Sequence, residues 1–108
     1  MIVIDNEIES CISKELENAM ENHEGFHSEH EIYAILKEEY EETEFEIENL
    51  SHQFEMAWCR VKSDDKKAFR NRLKIIRERA KHAAMEAVQI AAVCDKAEAY
   101  YTATEKQQ

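Results

Sequence analysis

The chain has no proline and a single glycine, Gly25, in 108 residues. A sheet protein needs turn residues every ten or so positions, and a chain of short elements needs breakers. Their scarcity argues against a β-rich fold and predicts an all-α chain. Cysteine is equally uninformative as a framework: Cys11, Cys59 and Cys94 are odd in number, widely spaced and form no CxxC pair. That pattern argues against a disulfide scaffold and points to free thiols in a reducing cytoplasm. Long apolar runs are missing as well. No stretch approaches the ~18 residues of a membrane span, and MIVIDNEIE lacks the basic region and apolar core of a signal peptide. The expectation is a cytoplasmic protein of one domain, residues 1–108, with no membrane partner and with frayed tails over 1–5 and 102–108.

Basic residues are almost absent from the first half. Residues 1–56 carry 17 acidic and 2 basic side chains, whereas 57–108 carry 7 acidic and 12 basic ones, with the basic block between Arg60 and Lys81. An acidic helix lying along a basic one would account for this asymmetry. So would a site for a metal-bound polyphosphate, which uses carboxylates for the cation and Lys or Arg for the phosphate oxygens. The net charge of −10 argues against general nucleic-acid binding.

Three helices are expected. The first runs from about Asn6, as N-cap of a capping box with Glu9, to Asn22, and its stripe Ile8, Cys11, Ile12, Leu16, Ala19 and Met20 makes it a covering helix. Gly25 is expected to end it in the left-handed conformation. Ser28, with Glu31 three residues on, opens the second helix. Its apolar seam, Ile32, Leu36, Tyr40, Thr43, Ile47, Leu50, Phe54, Ala57 or Trp58, and Val61, is expected to face the core, with a break near Ser51 and His52 an open alternative. Ser63, Asp64 and Asp65 start the third helix, which is expected to reach Tyr101. That helix begins with the stripe Phe69, Leu73, Ile76 and Ala80. It ends in Ala83 to Cys94, where ten of twelve residues are apolar and only Glu86 and Gln89 are polar. A helix apolar all round must be covered all round, which implies a homo-oligomer whose interface includes this segment.

Glu86 is the misfit in that segment, because a carboxylate among apolar residues must be paired, protonated or bound to a cation. The matching excess of acid lies in LKEEYEETEFEI, Leu36 to Ile47. With Leu36 at zero and 100° per residue, Glu39 falls at about −60°, Glu46 at about −80°, Glu42 at about −120° and Glu38 at about −160°, all on one flank. Glu41 and Glu44 fall on the other flank, as solvated charges. Like charges one turn apart repel, so the first flank is self-destabilising without a cation.

FHSEHEIYAILKEEYEETEFEI followed by AMEAVQIAAVCDKA resembles the MazG-like all-α nucleoside triphosphate pyrophosphohydrolases, particularly small phage-borne members. The family pattern is EExxE on one helix and ExxD on a later one. Glu38, Glu39 and Glu42 match the first; Glu86 matches the start of the second, with Gln89 where Asp is usual. The 43 residues between Glu42 and Glu86 also exceed the usual spacing.

The resemblance implies a helical bundle of one short and two long helices per chain, completed as a homodimer or homotetramer, that converts a (deoxy)nucleoside triphosphate and water to the monophosphate and pyrophosphate. It implies Mg²⁺, with Mn²⁺ as a substitute, held by Glu38, Glu39, Glu42, Glu86 and Gln89, with Glu39 as ligand or catalytic base. Lys74, Arg77, Lys81, His82 and Lys96 are the candidates for substrate phosphates. Tyr33, Tyr40 and Trp58 could stack on a base, although core positions are the simpler reading. His23, His27, His30 and Glu31 have a spacing that suits zinc, but nothing elsewhere completes a tetrahedral set. The competing reading is a catalytically inactive, acidic helical interaction protein of phage origin.

Overall fold

A computed structural model describes residues 2–22 and 25–106, and its three helices are α1 (Ile2–Asn22), α2 (Glu29–Lys62) and α3 (Lys66–Lys106). No strand occurs among the described residues, so the all-α expectation is met. None of these helices is long and apolar enough to cross a membrane.

The helix starts follow the capping residues. The Glu31 amide donates to the Ser28 hydroxyl oxygen at 3.2 Å, and the Ala68 amide donates to the Asp65 carboxylate at 3.0 Å, so Ser28 and Asp65 are the N-caps of α2 and α3. Asn6, by contrast, lies inside α1, which already begins at Ile2. Of the expected covering stripe, Ile12, Leu16 and Ala19 are half-buried, while Ile8, Cys11 and Met20 are exposed. α2 passes through Ser51 and His52 without a break. The helical segments also enter both stretches expected to fray, with α3 reaching Lys106.

The left-handed residue is not the glycine. Gly25 has no positive φ, whereas Asp64 sits at φ 54°. Around Asp64 the chain closes α2 as a Schellman motif: the Asp65 amide donates to the Arg60 carbonyl and the Asp64 amide to the Val61 carbonyl, each at 3.1 Å. Aspartate tolerates this conformation better than most side chains, and one residue later the chain is already capping α3.

The chain divides into two compact units, Met1–Tyr40 with Ala87–Gln108, and Glu41–Glu86. The first has a small core of Phe26, Ile32 and Ala97, against which Ile35, Leu36, Val93, Tyr100 and Tyr101 pack. The Tyr100 hydroxyl donates to the His27 carbonyl at 3.3 Å, tying the end of α3 to the approach to α2. The second unit is an antiparallel helical hairpin. Its register is set by Arg72, whose guanidinium donates to the Gln53 carbonyl oxygen at 2.9 Å, and by contact between Glu42 and Glu86.

In the hairpin the expected seam of α2 is displaced. Ala57 is buried and Thr43, Glu46, Leu50 and Gln53 are half-buried, while Ile47, Phe54, Trp58 and Val61 are exposed. Tyr40, in the first unit, is exposed too. The inward face is therefore turned by about a sixth of a circle toward the acidic flank. Two features of α3 accompany the turn: Gln53 accepts a hydrogen bond from Arg72, and the small Ala83 is buried there. On α3, Phe69 and Ile76 are half-buried as expected, but Leu73 and Ala80 are exposed.

Candidate functional site

Glu86 is half-buried on α3, in a stretch whose neighbours Ala83, Val88 and Ile90 are buried or half-buried. Across the hairpin stand Glu42 and Glu46 of α2. One carboxylate oxygen of Glu42 and one of Glu86 lie within 4.8 Å of each other. Burial is the main cause that lifts the Glu86 carboxyl above its usual carboxylate value, followed by a side-chain hydrogen bond with Glu42 and the negative charges of Glu42 and Glu46; His82, one turn earlier, works in the opposite direction. Two carboxyl groups can share a hydrogen bond only if one carries a proton. Oε2 of Glu46 and Oε2 of Glu86 are both buried and have no hydrogen-bond partner.

Glu46 is the residue that sequence reasoning left out of the site. Its angle on the helix placed it with Glu39 and Glu42, but it lies outside EExxE. The motif hid what the wheel had located.

The first unit holds a cavity of about 440 Å³. Glu31, Glu38 and Glu39 of α2, Gln89 and Lys96 of α3, and Glu15 and Asn18 of α1 line it, with Phe26 as an aromatic wall. The Lys96 ammonium lies 4.9 Å from the centre of the Phe26 ring, a cation–π distance. The cavity thus offers carboxylates, one cation and an aromatic face together. Glu15 and Asn18 carried no sequence signal, since α1 was read as cover only.

The remaining candidates are dispersed. Lys74, Arg77 and Lys81 are exposed, on the side of α3 away from Glu86, and Arg77 pairs with its neighbour Glu78 at 2.8 Å. His82 is exposed beside Glu86. Tyr33, Tyr40 and Trp58 are 67%, 54% and 59% exposed, so the core reading of these rings does not hold within the chain. The Lys62 ammonium lies 5.8 Å from the centre of the Trp58 ring. Of the histidine group, His27 Nδ1 pairs with Glu31 at 3.2 Å, His30 is exposed, and His23 lies outside the described residues. No protein-family model matches the sequence, and neither does any curated protein or solved structure.

Proposed function

We propose that the chain is a magnesium-dependent nucleoside triphosphate pyrophosphohydrolase, converting a (deoxy)nucleoside triphosphate and water to the monophosphate and pyrophosphate. The observation that carries this reading is Glu86, set in an apolar segment and facing Glu42 and Glu46 from the other helix of the hairpin. Three carboxyls in that arrangement repel one another unless a proton or a cation lies among them. The buried, partnerless oxygens of Glu46 and Glu86 suit a hard cation, which takes oxygen ligands.

In this reading Glu42, Glu46 and Glu86 hold Mg²⁺, or Mn²⁺ in its place, and Glu38, Glu39 and Gln89 are the further ligands that the motif suggests. The bound cation would neutralise the triphosphate and acidify a water molecule. Glu39, one helical turn before Glu42, takes the proton of the water that attacks the α-phosphorus. Among the residues that the motif suggests for phosphate oxygens, Lys96 stands over the Phe26 ring in the first unit. His82 works against the raised pKa of Glu86 and so favours the charged form that binds a cation, without overcoming burial and the neighbouring carboxylates.

The test is pyrophosphate release over a panel of ribo- and deoxyribonucleoside triphosphates, with Mg²⁺ and with Mn²⁺, beside the Glu39→Gln variant. Turnover that disappears in the variant is the expected result. Gln89, standing where the family has Asp, favours one alternative: a protein that binds metal without catalysis. Metal-dependent stabilisation with no turnover on any triphosphate would select it.

A further inference from the structure

We infer that the outward face of the Glu41–Glu86 hairpin docks a second copy of itself, with α2 of each chain lying on α3 of the other. Four residues of α2 form this face: Ile47, Phe54, Trp58 and Val61, exposed by 52%, 59%, 59% and 46%. On α3 it comprises Leu73, Ala80 and Ala84, with Leu73 49% exposed. Ile47, Phe54 and Val61 recur every seven residues, and so do Leu73 and Ala80. That spacing holds a stripe in line along a helix packed against another helix.

The two stripes form one surface. Each is turned by about 100° from the inward face of its own helix, in the same sense when followed from N- to C-terminus. Because the helices are antiparallel, equal turns place both stripes on the same side of the hairpin. The register set by Gln53 with Arg72 and Glu42 with Glu86 puts Phe54 level with Leu73 and Ile47 level with Ala80.

Charge identifies the occupant as another copy of the chain, and it selects the orientation. Within the hairpin the α2 segment carries six acidic and two basic side chains, and the α3 segment eight basic and two acidic. A two-fold axis parallel to the helices sets each acidic α2 on a basic α3. The perpendicular axis in the same plane would set α2 on α2, acid against acid. The face itself contains no residue of the proposed metal site, so the two readings can fail separately.

The experiment is molar mass by light scattering at micromolar concentration, on the full chain and on two variants, Phe54→Glu and Leu73→Lys. Both positions are exposed within the chain, so both variants should keep the helical circular-dichroism spectrum of the parent. The expected results are a dimer, or a higher assembly built from it, for the parent and a monomer for each variant alone. In an equimolar mixture the mass should return to the dimer. There the introduced carboxylate on α2 meets the introduced ammonium on the partner's α3, while the second contact remains Phe54 on Leu73. A monomeric parent, or a dimer untouched by either variant, would overturn the interface. Monomeric variants whose mixture stays monomeric would overturn the α2-on-α3 pairing.

Discussion

At the scale of single residues, Glu86 concentrates the chemistry. Its folded-state pKa is raised, so between the ordinary carboxylate value and that raised value the folded chain binds more protons than the unfolded one. The sign is therefore the reverse of a salt-bridged acid: stability contributed by Glu86 is greatest at low pH and falls as pH rises through this window. Without divalent metal, Glu86→Gln should flatten that loss and stabilise the chain at pH 7 to 8. The gain should be at most about 1 kcal/mol, the ceiling for a partly exposed charge pair. With Mg²⁺ present the order should reverse, because the parent gains melting temperature and the variant does not. Thermal melts with EDTA and with Mg²⁺ read both arms, and a variant more stable than the parent in Mg²⁺ would remove the proposed site. Metal affinity should also climb with pH across the same window, since the cation displaces the proton shared with Glu42; titration by calorimetry measures it.

At the scale of elements, the two turns invert the usual roles of residue types. A Cβ on Gly25 would meet nothing within 4 Å, and its φ is not positive. Gly25→Ala should therefore be neutral or stabilising by about 0.5 kcal/mol, through the unfolded chain. Asp64→Val places a β-branched side chain at φ 54° and should cost about 1 to 2 kcal/mol. Asp65→Ala removes the α3 cap and should cost about 1 kcal/mol. Urea unfolding of the three variants ranks them, and a destabilised Gly25→Ala would contradict the turn geometry. Helix number, and the caps at Ser28 and Asp65, were legible in the sequence because they depend on local hydrogen bonding. The inward face of α2 was not. Ile47, Phe54 and Trp58 are apolar and suggest a core, yet periodicity gives a stripe without saying whether it meets the same chain or another. Glu86 was legible as a misfit; its neighbour Glu46 needed the hairpin register, which depends on side chains far apart in sequence.

At the scale of the whole molecule, Trp58 is the sole tryptophan and reports on association without a label. It is 59% exposed within the chain and lies on the face assigned to the partner. Its emission should be blue-shifted in the parent at micromolar concentration and should move to the red both on dilution and in Phe54→Glu. An unchanged, solvent-like spectrum in the parent would count against the interface. The uninterrupted course of α2 carries one more consequence, for how such a chain can change its length. Within the hairpin, its carboxylates and its aromatic stripe lie on one unbroken helix. Deleting one residue near Ser51 would turn everything beyond it back by about 100°, so that Phe54 and Trp58 take the inward places of Gln53 and Ala57 and the partner's footing is lost. Inserting seven would leave both faces in line. Natural variation in this helix should therefore come in blocks of seven, and a deletion scan would show tolerance returning at that interval.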